Sequence, residues 1–318
     1  MPRSTRGSAM HDSQQHFVAP ADEVEVLATD RVVEQGAPKS IWGEAWRRLR
    51  RNPVFLVAMV LIVLVLLVVV VPSLFTSQDP RLCLGEFGMD QPRPGHPFGF
   101  DKQGCDIYAR TIYGARASVS VGIGAALLFL LVGGVLGALA GFYGGVLDTV
   151  ISRIAEVFFA IPMVLAAIVL LQLLRPATVT TVILILVAFT WPQAARITRG
   201  AVIEAKNSEY VTAAKALGVS RLGTLVRHVL PNAAGPLIVV ATLWLGVFIV
   251  TEATLSFLGV GLPPDIVSWG ADIARAKTEI RTSPILFYPA AALAVTVLSF
   301  ILLGDAVRDA LDPKERTR

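Results

Sequence analysis

Charge is scarce in this chain. Only 16% of its 318 residues are Asp, Glu, Lys or Arg, against about 25% in an average soluble domain, too few to cover a water-facing surface of this size. Cysteine and histidine are scarcer. Two cysteines, Cys83 and Cys105, share one polar stretch, and the four histidines (His11, His16, His96, His228) are scattered, so no cluster has the spacing of a metal site. No G-x-x-x-x-G-K-S/T phosphate loop is present, and no Ser/His/Asp set or carboxylate pair is placed like an active site. Apolar residues, by contrast, make up 54% of the total, with a mean hydropathy of +0.64. They gather in long blocks, one of which, Val54 to Val71, contains no charge, Gly or Pro. A run of about 18 such residues crosses a hydrocarbon core of roughly 30 Å as a helix. A soluble enzyme, a secreted disulfide scaffold and a disordered protein are thereby excluded; the composition is that of an all-α polytopic membrane protein. The net charge of +4 then reports orientation and anionic headgroups. Without an aromatic-basic motif, nucleic acid is not an expected partner.

Six spans are expected, at about 54–75, 114–141, 153–174, 178–198, 232–257 and 285–304. An even number puts both termini on one side. Segments on that side hold 19 Lys and Arg against 8 on the other, so the positive-inside rule places both termini in the cytoplasm. Residues 1–40 are polar and bury too little apolar surface to offset their ordering entropy, so a disordered tail is expected there; 307–318 forms the C-terminal tail. In residues 41–53, Trp42 and Trp46 share one helical face while Arg47, Arg48, Arg50 and Arg51 gather toward the other. This is either an amphipathic helix in the headgroup layer or a polybasic stop beside the first span. The outer loop 76–113 is polar and rich in Pro and Gly. Within it, Cys83 and Cys105 are either bridged, closing a loop of about twenty residues for about 3 kcal/mol, or two unrelated thiols. Gly133, Gly137 and Gly141 form a strip along span 2 that admits a close helix, from this chain or another. Pro162 and Pro192 fall inside spans 3 and 4 and are expected to kink them.

The most informative polar segment runs from Asn207 to Ser220. Asn207 or Ser208 can cap a helix, Glu209 suits its positive end, and Gly218 can take the left-handed conformation that closes it. A helix of about ten residues, roughly 15 Å long, is too short and polar to span. Ser220 can cap a second helix leading to Leu230-Pro231. Ala213, Ala214 and Ala216 let the short helix approach a partner surface, and Tyr210, Leu217 and Val219 offer apolar anchors for a groove. The alternative is a helix lying on the membrane.

Thr212-Ala213-Ala214, three residues, Gly218, nine residues and then His228-Val229-Leu230-Pro231 resembles the EAA signature of ABC-importer permeases. Thr212 stands where the signature has Glu, and His228 where it has an aliphatic residue. Glu209-Tyr210-Val211, Gly99-Phe100-Asp101 with Gly104-Cys105-Asp106, Tyr113-Gly114-Ala115-Arg116, Gly141-Phe142-Tyr143-Gly144-Gly145, Glu252 to Gly259, Ser268-Trp269-Gly270 and Leu303-Gly304-Asp305 through Leu311-Asp312-Pro313 are similar to the dipeptide and oligopeptide branch, the DppC/OppC-like permeases. The likeness runs in order from about Arg47 to Pro313, with Cys105 where the family usually has Arg.

The resemblance implies a type I importer bundle, with a core domain over 114–306. It implies a second homologous permease subunit, two ATPase subunits that carry ATP and Mg, an extracytoplasmic binding protein and a peptide substrate. It assigns the coupling role to residues 208–220, with Glu209, Tyr210, Thr212, Ala213, Ala214, Leu217 and Gly218 at the ATPase contact, and Glu209 one turn before Thr212 as a possible substitute acid. Glu252, inside span 5, is expected to hold the outer gate or the turn at Gly259-Val260-Gly261 by hydrogen bonds rather than to touch substrate. Arg153 is expected to pair with Glu156 or with Asp148, and Trp269 either folds back into the outer face or anchors at the interface. Rival readings are the same machine for nickel complexes or other solutes, an autonomous ion-coupled carrier, and a membrane scaffold.

Overall fold

The computed structural model describes residues 41–277 and 284–311. The expected tail at 1–40 lies outside the described residues, as do 278–283 and 312–318.

Among the described residues the chain is helical, with isolated bridges in place of strands. Helix α1 (Ile41–Leu49) packs on the last helix and buries Ala45; the Trp42 side chain is outside the described residues. Asn52 then accepts the N–H groups of Val54 (2.9 Å) and Phe55 (3.4 Å), with Pro53 in the first turn, and starts α2 (Pro53–Val70). Helix α2 is apolar all round and buries only Phe55, Ala58 and Ile62, which suits a helix whose other faces meet lipid. It ends earlier than expected, because Pro72 starts a separate turn at Pro72–Leu74.

Asp106 accepts the N–H groups of Tyr108 (2.8 Å) and Ala109 (3.2 Å) and starts α3 at Ile107, seven residues before the expected start of span 2. Helix α3 (Ile107–Tyr143) is the central post, packed against α6, α9 and α4. Its glycine strip meets the same chain. A methyl group on Gly133 or Gly137 would collide with Ala194 and Ala195 of α6, and one on Gly141 would lie 2.8 Å from the Arg199 carbonyl oxygen.

Span 3 is not one helix. Helix α4 (Gly145–Phe159) and α5 (Met163–Leu173) meet at 82°, because Pro162 lacks an N–H and keeps its predecessor out of helical geometry. Pro192 has a smaller effect: α6 (Val179–Lys206) runs unbroken through it and extends eight residues past the expected end of span 4. Helix α7 (Glu209–Ala216) follows. Helix α8 (Arg221–Thr224) passes through a π turn, Leu225–Val229, into α9 (Leu230–Phe257). After the short α10 (Trp269–Ala276), α11 (Phe287–Leu311) carries helix into what was expected as tail. Among the described residues, five helices are long and apolar enough to cross a membrane, and the bent α4–α5 pair makes a sixth span if counted as one. The core lies between α3, α6 and α9, where Phe129 stacks on Trp244 (5.3 Å) and meets Phe248 edge-on.

The helices alternate between two ends. One holds α1, the α3–α4 junction, α7 and the close of α11. The other holds the loop before α3 and the short α10. At the first end Arg199 grips Asp148 through two hydrogen bonds (2.5 and 2.7 Å), and Lys206 donates to the Gly141 carbonyl (2.6 Å). Of the two expected pairings of Arg153, the structure makes the one with Glu156 (2.7 Å); Asp148 is taken by Arg199 from across the bundle, a partner invisible in sequence.

Candidate functional site

The short helix α7 is built by its two ends. Ser208 precedes it with an extended backbone and no side-chain capping bond, so the first turn rests on backbone bonds from Val211 and Thr212 to the Ser208 carbonyl (3.1 and 3.2 Å). At the other end Gly218 sits at φ +82°, donating to Lys215 (3.0 Å) while Val219 donates to Ala214 (3.2 Å). This is the paired Schellman closure, and its left-handed residue falls to glycine because a Cβ is strained there. Two residues on, Ser220 Oγ accepts the Gly223 N–H (3.2 Å) and opens α8.

One face of α7 is bolted to the bundle. Val211 is fully buried and Ala214 nearly so, with Val211 packed among Ala138, Val202, Ala205, Leu225, Val229 and Ala233. Ala214 therefore faces this chain's own helices, and it is unavailable as the partner contact the sequence reading gave it. Val219 is half-buried. The other face is open: Leu217 is 86% and Tyr210 44% exposed, with Glu209, Thr212, Ala213 and Gly218 also exposed. Thr212 Oγ1 donates back to the Ser208 carbonyl (3.3 Å), so its side chain is spent on the helix itself. Leu222 on α8 and Val226 in the turn that follows it, at 63% and 52%, extend the open apolar surface. Sequence reasoning missed these two; their signal was large apolar residues four apart within a polar segment.

Beneath α7, the π turn is where the Leu230 N–H bonds the Leu225 carbonyl five residues back. Pro231 has no N–H for the Arg227 carbonyl, and the wider turn accommodates that loss. The short helix is thus joined to a long spanning helix through a locally altered, irregular turn.

At the opposite end a buried polar knot ties α10 to α3 and α9. Glu252 is fully buried and accepts hydrogen bonds from Ser118 (2.9 Å) and Ser256 (2.8 Å), with Ser268 also bonded to it. Ser118 in turn accepts the Trp269 N–H (3.3 Å), and Trp269 Nε1 donates to the Thr111 carbonyl (2.8 Å). Gly270 brings α10 so close to α9 that a Cβ would lie 2.6 Å from the Ala253 carbonyl oxygen. Trp269 is folded inward, 3% exposed, so of its two expected placements the structure takes the first. Arg110 adds an ion pair to Asp272 (2.8 Å through Nε) and donates to the Pro80 carbonyl (3.0 Å). Burial pushes the Asp272 carboxyl up while Arg110 pulls it down; Arg275 is lowered by burial and by Arg110 beside it. Cys83 and Cys105 are joined as a disulfide, and His96 Nδ1 lies 2.6 Å from Asp106, which caps α3. No group of three or more His, Cys, Asp or Glu side chains suited to a metal occurs among the described residues.

Residues 133–317 match the family described as "Binding-protein-dependent transport system inner membrane component", a range that covers α7, the π turn and the Glu252, Ser256 and Ser268 side of the knot. The chain belongs to this family. Residues 40–92 match the N-terminal transmembrane domain of oligopeptide transport permease C. The chain is 38% identical over 278 residues to the oligopeptide transport system permease protein OppC of Bacillus subtilis (strain 168), covering 87% of this chain and 91% of that protein. It is 37% identical over 310 residues to the dipeptide transport system permease protein DppC of the same organism, covering 95% and 96%. A glutathione transport system permease protein, GsiD of Pectobacterium atrosepticum, is 33% identical over 291 residues, covering 91% and 96%. The expected all-helical bundle and the permease family stand on these matches together with the helices described above.

Proposed function

We propose that the chain is one of two permease subunits of an ATP-driven importer for di- or oligopeptides. The observation that carries this reading is the two-sided α7: one face fixed to the bundle by Val211 and Ala214, the other presenting Tyr210 and Leu217. Such a helix transmits a push, because its base moves with α6 and α9 while its tip offers apolar anchors to a groove on a partner. ATPase subunits holding ATP and Mg dock there, on the cytoplasmic side with both termini. A binding protein delivers peptide at the disulfide end, and the pathway forms against a second, homologous permease. Peptide cargo is supported by the relatives, two of which are oligopeptide and dipeptide permeases.

The test is reconstitution of the chain with its second permease, ATPase subunits and binding protein. Leu217→Arg should leave the assembly intact and ATP hydrolysis running, yet lower labelled-peptide uptake at least tenfold. A cysteine at 217 should cross-link to an ATPase subunit. Unchanged uptake in Leu217→Arg, with no cross-link, would overturn the coupling assignment.

A further inference from the structure

We infer that the pocket between α1, the start of α2 and the end of α11 binds the headgroup of an anionic phospholipid, of the phosphatidylglycerol type. The pocket has a volume of about 540 Å³ and is lined by Arg48, Arg51 and Asn52 on one side and by Ala306, Asp309 and Ala310 on the other. Its depth is set by the chain. Pro53 begins an 18-residue helix without a charged residue, so Arg51 and Asn52 stand at the boundary between hydrocarbon and water, the level at which phosphates of a bilayer lie.

Charge complementarity selects an anion. Arg51 is exposed and pairs with no carboxylate among the described residues, while Arg48 holds Glu44 only loosely, at 3.6 Å. Two guanidiniums facing one cavity suit a phosphodiester, to which each offers a planar fork of donors. The Asn52 side chain is already spent on α2, so the helix terminus is not the attraction.

Three features distinguish a lipid from free phosphate. Directly below the pocket, α2 exposes Val54, Leu56, Val57 and Val60, an apolar track for an acyl chain. Beside it Trp46, 54% exposed, stands edge-on to Phe55 at 6.2 Å, an amphipathic ring at headgroup level. Asp309 on the far wall supplies an acceptor for the glycerol hydroxyls, and the preference over a zwitterionic headgroup rests on Arg48 and Arg51, which outnumber that single carboxylate. The site is preformed, because α1 is already packed on α11 through buried Ala45.

The test is native mass spectrometry of the assembled, detergent-purified transporter supplied with equimolar phosphatidylglycerol, phosphatidylethanolamine and phosphatidylcholine. Phosphatidylglycerol should be retained at least fivefold over either of the others. The double variant Arg48→Gln with Arg51→Gln should abolish that preference. Arg47→Gln with Arg50→Gln, in the same basic cluster at the end of α1 but outside the pocket, should keep it. Equal retention of the three lipids, or equal loss in both double variants, would overturn the proposal, the latter by showing a diffuse basic surface. Displacement of the lipid by millimolar inorganic phosphate would overturn it in favour of a bare anion site.

Discussion

Gly218 and Glu252 show how much single positions carry. At φ +82° a β-branched residue in place of Gly218 is strained by about 1–2 kcal/mol, enough to open the Schellman closure and let α7 fray. Gly218→Val should therefore lower peptide uptake several-fold with normal membrane insertion, while Gly218→Asn, which tolerates the left-handed region, should lose less; uptake assays on both variants check this. Glu252 is the common acceptor of a buried hydroxyl cluster, so its truncation strands the Ser118 and Ser256 donors. Glu252→Ala should cost about 1–3 kcal/mol, lowering the thermal midpoint in detergent, and Glu252→Gln, which keeps an acceptor, should fall between. Glu252 was legible as a costly ionisable group within a span. Its partner Ser118 was not, because it lies 134 residues away in the chain.

Helix pairs are decided by how closely backbones approach. Gly133 and Gly137 face Ala194 and Ala195 of α6, whereas a Cβ on Gly134 meets only the tip of the Leu237 side chain at 3.0 Å. Gly137→Ala should thus destabilise the α3–α6 pair, and Gly134→Ala should be near neutral, as thermal melts or folded yield will show. The four-residue spacing of the glycines announced a close contact, and only the packing named its partner. The same holds for α7. Its closing turn was readable from Gly218, whereas Ser208 stands at its start without the expected side-chain cap, and which alanine turned inward depended on the rotation of α7 over α6 and α9. That rotation follows from the burial of Val211, and it leaves Ala213 outside and Ala214 inside.

For the molecule as a whole, the two ends have different work. The disulfide end is tied by the Cys83–Cys105 bridge, Arg110–Asp272 and the Glu252 knot. The bridge closes 22 residues of chain and removes about 3 kcal/mol of unfolded-loop freedom, so Cys83→Ser with Cys105→Ser should make residues 76–106 more sensitive to protease. The α1 end instead leaves α7 exposed. In sealed cells a cysteine at Leu217 should resist a membrane-impermeant thiol reagent and one at Asp265 should react, and the reverse pattern would invert the proposed orientation. Hydrophobic run length, charge asymmetry and the turn chemistry of Gly, Pro and Ser are local, so the sequence alone determined that the chain is a multi-span helical protein with a short polar helix between two long ones. It also located the break at Pro162, though not its 82° bend. The partners of Asp148, Arg110 and Glu252, the inward turn of Trp269 and the open face of α7 were decided by the tertiary structure. Each depends on the distance and rotation between helices far apart in the chain, and those are set by the packing of the whole bundle at once.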